Sequence, residues 1–187
     1  MKKLLFLTAL LASMFMHGQD YQNYLKIAND ALESGDARKA NENANKALEL
    51  QPTSVDARWV RVRSSLTANA SEKAINGSID DLKFIIANGR GTARVYNALG
   101  VAETEAGSYI YRFKHAKSNN TISDDKSAYI KEQKAYYTDA INHYKSAKIA
   151  YQKAIELNPD DAKTYTYKAN EAEKYIKEIA EKAATLK

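Results

Sequence analysis

Two stretches of this chain end almost alike: Ala40-Asn41-Glu42-Asn43-Ala44-Asn45-Lys46-Ala47-Leu48-Glu49-Leu50-Gln51-Pro52 and Ala147-Lys148-Ile149-Ala150-Tyr151-Gln152-Lys153-Ala154-Ile155-Glu156-Leu157-Asn158-Pro159. Both follow A-x3-(A/Y)-x2-A-(L/I)-E-L-x-P. Residues three and four apart share one face of a helix, so Ala40, Ala44 and Ala47 form a face that a neighbouring helix can approach closely. The proline then stops the helix, because the residue before it is pushed out of the α region. Composition points the same way. Seven Gly and two Pro in 187 residues are too few for a sandwich or barrel that turns every few residues. The absence of Cys excludes a disulfide scaffold, a zinc ribbon and a thiol nucleophile. An all-α fold is expected, with a hydrophobic content of 44% sufficient for a core.

The N-terminus reads as an address. Met1 to Lys3 are a short cationic start, Leu4 to Met16 are apolar apart from Thr8 and Ser13, and a polar step follows at His17-Gly18-Gln19-Asp20. Residues 1–18 fit a secretory signal peptide, with cleavage placed after the small residue Gly18. The apolar stretch is short for a bilayer core that needs about 20 residues, so no integral membrane span is expected in the mature chain. The protein is expected to be exported, either periplasmic, outer-envelope associated or secreted. Its formal charge of +5 falls by two when Lys2 and Lys3 leave with the leader. That remainder is a weak pull on polyanions, and no nucleic-acid partner is expected.

A second motif completes the pattern. Tyr96-Asn97-Ala98-Leu99-Gly100 reproduces W-x2-L-G with Tyr for Trp, and with the A-x3-x-x2-A…P endings the chain resembles the tetratricopeptide repeat family, whose unit is about 34 residues. The resemblance implies a right-handed helical-repeat solenoid of antiparallel helix pairs, about 3 to 4 units plus a C-terminal capping helix. The units fall at about 21–54, 55–92, 93–127 and 128–161, and the cap at 162–186. Gly35, and Gly107 with Tyr109, stand where that family turns from its first helix into its second. Asn69 to Ser78 is turn-rich and is expected to be a lengthened loop, followed by a helix over Ser78–Arg90. In the third unit the second helix is expected at Tyr109–Lys117. From Ser108 to Asn158 there is neither Gly nor Pro, so one long helix from about Asp124 to Asn158, capped by Ser123 or Asp124, is the alternative. On it Ile130, Tyr137, Tyr144 and Tyr151 recur every seven residues, with Ala140, Ala147 and Ala154 three beyond each tyrosine, which marks a packing seam. In the cap, Tyr165, Ala169, Ala172, Tyr175 or Ile176, and Ile179 form one apolar stripe.

Motifs of catalysis are lacking. No G-x-S-x-G, Walker glycine loop or dinucleotide fingerprint occurs. His115 and His143, the imidazoles left after the leader, have no i, i+4 partner for a metal and are read as surface or packing residues. The pairs Asp80-Asp81, Asp124-Asp125 and Asp160-Asp161 are assigned to helix starts, where negative charge suits the helix dipole. Asp56 and Glu103 stay open as acid or base until their surroundings are known. No enzymatic activity, cofactor or metal is expected. Of thirteen Tyr, the heptad set is assigned to interfaces, and Tyr111, Tyr129, Tyr136 and Tyr167 to a surface.

The resemblance also implies a partner-binding concave wall made by the first helix of each unit. Carried onto this chain it selects Asn29, Arg63 with either Arg58 or Trp59, and Arg94 with Asn97. A stripe of Val55, Trp59, Val62 and Leu66 would instead bury Trp59. Such a basic, amide-rich set suits an extended peptide with acidic groups. The carboxylate clamp of some family members is not reproduced, since Leu25 stands at its first lysine and only Asn29 agrees. The expected function is a non-catalytic protein–protein interaction scaffold of the cell envelope that holds a peptide or partner subunit of an envelope assembly. The alternative is a glycan-binding module that uses groove Tyr, Arg and Asn.

Overall fold

The computed structural model describes residues 2–67, 70–114 and 126–186, and the side chains of 18–67, 70–113 and 126–186. These residues contain seven α-helices and no strand, in two compact units, Met1–Asn69 and Ala70–Lys187. Among them no helix is long and apolar enough to cross a membrane.

The first unit contains α1 (Lys2–Glu33), α2 (Ala37–Leu50) and α3 (Val55–Ser65), each packed on the other two. The segment read as a leader is helical from Lys2 and runs unbroken into the helix that carries Tyr21, Ala28 and Asn29. Gly35 ends α1 at φ 80°, the left-handed conformation that an L side chain resists. Around it Asp36 N–H donates to Ala31 C=O at 2.8 Å and Gly35 N–H to Leu32 C=O at 3.2 Å, the paired closure that satisfies the last carbonyls of a helix. Asp36 then caps α2, accepting from Lys39 N–H at 2.9 Å. The small face does what its spacing requires: Ala40, Ala44 and Ala47 are fully buried, with Ala44 between Ala28 of α1 and Val60 of α3. Tyr21 closes one end of the unit against Ala47, Leu48 and Ala57, its hydroxyl 2.7 Å from the Oγ of Ser54, the cap of α3.

On α3 the expected stripe is rotated. The buried side chains are Ala57, Val60, Val62 and Ser64, while Val55, Trp59 and Leu66 are half-buried. The reason is volume: α1 and α2 meet through alanines, and Ala57 and Val60 fit a seam that an indole would force open.

The second unit contains α4 (Glu72–Ile85), α5 (Ala93–Tyr109), α6 (Lys126–Leu157) and α7 (Ala162–Thr185), each packed on the next. Of the lengthened loop expected at Asn69–Ser78, Asn69 lies outside the described residues and 72–78 are helix: Ser71 Oγ accepts from Ala74 N–H at 3.3 Å and α4 begins at Glu72. Ile75, Ile79 and Leu82 are buried on its inner stripe, so Asn76 and Gly77 ride on the wet side as helix, not loop. The helix expected over Ser78–Arg90 correspondingly ends at Ile85. A wide turn, Ile86–Arg90, follows, in which Gly89 takes φ 76°. Asp80-Asp81, assigned above to a helix start, lies inside α4, with Asp81 buried.

Gly107 is likewise no turn. It is buried within α5, which runs to Tyr109 and on through a π-helical turn at Ile110–Lys114. The missing side chain is a seat. A Cβ on Gly107 would lie 2.9 Å from Tyr144 Cε2, and one on Gly100 2.5 Å from Tyr151 Cε1. The tyrosines of the heptad seam thus drop into glycine notches one heptad apart on the facing helix, and Ala140, Ala147 and Ala154 are fully buried beside them. The rings are anchored at their tips: Tyr144 hydroxyl lies 3.0 Å from Ser108 Oγ and Tyr151 hydroxyl 3.3 Å from Thr104 Oγ1.

The long helix replaces the short one. α6 spans Lys126–Leu157, so the boundary expected between 127 and 128 falls inside it; Ser123 and Asp124, its expected caps, lie outside the described residues. Pro159 opens a short 3-10 turn with Asp160 and Asp161 before α7. There Tyr165, Ala169, Ala172 and Ile179 are buried as the stripe predicts, and Tyr175 stacks on Tyr144 with ring centroids 5.0 Å apart.

Candidate functional site

The ionisable cluster of the second unit is centred on α5. Glu103 stands on the helix face shared by Leu99, Ala102 and Ala106 and is only 3% exposed. A carboxylate so placed needs partners, because desolvation disfavours its charge. It has them on two other helices: His143 Nδ1–H of α6 donates to Oε2 at 2.6 Å, and Lys83 Nζ of α4 lies 3.3 Å from Oε1. The three groups bridge a furrow between α4 and α6, floored by α5. On one side is a cleft of about 190 Å³ bordered by Glu72, Asn76, Asp139 and His143. On the other is a more apolar cleft of about 380 Å³ bordered by Lys83, Tyr96, Leu99, Glu103, Ile149 and Lys153. A carboxylate that orients an imidazole is also half of an acid–base pair; here both its oxygens are engaged in tying α4, α5 and α6 together.

The opposite face of α5 carries a different arrangement. At about 100° per residue, Asn97 points about 200° away from Leu99. Asn97 Oδ1 accepts from Lys168 Nζ of α7 at 2.8 Å, and the same ammonium lies 5.7 Å from the centroid of the Tyr151 ring. Lys168 is half-buried, no carboxylate among the described residues pairs with it, and burial holds its pKa below the usual lysine range. Arg94 is exposed one turn before Asn97. Farther along, Lys182 of α7 donates to Tyr111 hydroxyl and to Glu178 Oε1. Tyr111 first, then Glu178, hold its pKa well above the ordinary lysine value.

The residues selected for a concave wall separate into two sets. In the first unit Asn29 is exposed and its amide donates to Leu25 C=O at 2.9 Å. Arg58 Nη2 donates to Pro52 C=O at 2.7 Å, and Arg58 borders an open cleft of about 510 Å³ with Asn45, Glu49 and Arg61. Asn29 and Arg63 are not part of that border. In the second unit Arg94 and Asn97 share a face, joined by Lys168. Of the tyrosines assigned to a surface, Tyr167 is 67% exposed; Tyr111, Tyr129 and Tyr136 are half-buried. His115 lies outside the described residues, and among those described no group of three or more His, Cys, Asp or Glu is placed to hold a metal ion.

Sequence reasoning missed the Glu103–His143–Lys83 bridge and Lys168. One signal was present for the first: Glu103 is an acid inserted into the apolar stripe of α5, a position that demands a partner. No protein-family model matches the chain, and no curated protein is similar enough in sequence to be a relative.

Proposed function

We propose that this chain is an exported, non-catalytic interaction scaffold, a TPR-like stack of helix hairpins that holds an acidic peptide segment or partner subunit of an envelope assembly. The observation that carries the reading is Lys168: a half-buried, desolvated ammonium that no carboxylate among the described residues pairs with, bonded to Asn97 on the helix that also carries Arg94. A cation in that setting gains from an incoming anionic group, since charge-assisted hydrogen bonds strengthen where water is already partly excluded. The helices that flank it are fixed by the tyrosine-in-glycine seam, so the donors are held in place before a partner arrives. Export is the companion reading of residues 1–18.

The test is photo-cross-linking in intact cells from a reactive residue at position 94. A polypeptide adduct is expected, lost in Lys168→Glu. If isolated wall polymer alone retains the protein and no polypeptide is captured, the scaffold reading fails and the glycan reading replaces it, with the exposed Tyr167 ring as its natural contact.

A further inference from the structure

We infer that the apolar cleft between α4 and α6 is a second docking site, for a peptide segment with one large apolar side chain flanked by acidic residues. It lies on the face of α5 opposite Lys168 and stands or falls apart from the reading above. Ile149 is 66% exposed, whereas every other isoleucine with a described side chain is buried or half-buried. It does not stand alone on a wet helix face, where a single apolar residue needs no explanation. It borders a cleft with half-buried Tyr96 and Leu99 and buried Ala150, so the apolar surface is contiguous and concave.

Charge complementarity names the occupant. Lys83 and Lys153 both border the cleft, with side chains 61% and 45% exposed. The one acid in its lining, Glu103, already has one oxygen on His143 and the other near Lys83. Lys153 is held at 2.6 Å by Glu156, itself 62% exposed, and exchanging one solvent-exposed ion pair for another costs little. Both ammonium groups thus keep N–H donors for an incoming carboxylate, while a volume of about 380 Å³ takes an apolar side chain and leaves the peptide backbone outside. Cationic or neutral polar segments would leave the lysines unanswered and the floor wet.

The probe is a displayed library of random dodecapeptides, panned on the folded protein and in parallel on Ile149→Glu and Lys153→Glu. Both substitutions are at exposed positions, and circular dichroism verifies that the helices remain. Expected is enrichment of sequences with a large apolar residue flanked by Asp or Glu, with affinity falling at least tenfold in Ile149→Glu and severalfold in Lys153→Glu. No enrichment, or enrichment of basic or uncharged sequences, overturns the inference. So does binding that survives Ile149→Glu; if that binding is lost in Lys168→Glu, the opposite face of α5 is the docking site and the cleft between α4 and α6 is not one.

Discussion

Ala44 and Tyr151 occupy the same place in the two matching segments, and the two units solve that place in opposite ways. In the first unit the side chain is a methyl, and the facing helix supplies another methyl, Ala28, with Val60 closing the gap. In the second it is a phenol ring, and the facing helix supplies nothing at all, Gly100, so the ring enters the notch. Tyr144 repeats the arrangement one heptad earlier on Gly107. Packing density is conserved while its distribution between the partners is not, as expected where interiors tolerate neither voids nor overlap. The contrast extends to the turns: the first hairpin needs Gly35 in the left-handed region to close, whereas the glycines of α5 have been diverted from turning the chain to admitting rings.

The most damaging perturbation should be to empty a notch. Tyr151→Ala leaves a cavity beside Gly100 and is expected to cost about 3–5 kcal/mol, read as a shift in the urea midpoint at constant slope. Filling a notch is next. Gly100→Ala overlaps the ring and should cost about 1–3 kcal/mol. In a Tyr151→Leu background the overlap is relieved and the helix preference for Ala, about 1 kcal/mol, should show instead. At the matching site of the first unit the methyl itself fills the seam, so there it is the opposite substitution, Ala28→Gly, that should destabilise. If Gly100→Ala is harmless with Tyr151 intact, the notch account is wrong.

Smaller effects come from the glycines themselves. Gly35→Ala is strained by its φ and should cost about 1 kcal/mol. Gly77→Ala, on the exposed side of α4 with nothing within 4 Å of the added methyl, should stabilise by up to about 1 kcal/mol. Equal effects at the two sites would erase the distinction between a turning glycine and a helical one.

The gentlest probe is alkali. Burial raises the pKa of Tyr144 and Tyr151 above the ordinary value, partly offset by their bonds to Ser108 and Thr104. Above about pH 10 the unfolded chain gives up these protons before the folded one does. Their contribution is therefore complete below that pH and drains away as pH rises toward the folded values. Tyrosinate absorbance should lag for these two rings and appear together with loss of helical circular dichroism. Ionisation at the ordinary value with the helices intact would place the rings in water.

Much of this was legible because it is local. The alanine face of α2, the stops before Pro52 and Pro159, the tyrosine heptads and the stripe of α7 all follow from helical periodicity and from proline sterics, which act within a few residues. The same local reading misplaced Gly107, which a distant ring, Tyr144, uses as its seat, and Gly77 and Asp80-Asp81, which are carried along in α4 because Ile75, Ile79 and Leu82 bury its inner stripe. Of the candidate site, Arg94 and Asn97 were selected from a motif, but Lys168 was not, since it meets Asn97 across 71 residues.

What the chain determined unaided was its helices and the sides on which they are small, large or polar, for those depend on bonds and contacts within a turn or two. Which large side entered which small one was decided only by the tertiary structure. So was the tie of Glu103 to His143 and Lys83, and the placing of Lys168 against Asn97 and the Tyr151 ring. Each depends on the volume and charge of groups brought together from distant parts of the sequence, and one helix alone carries only half of such a contact.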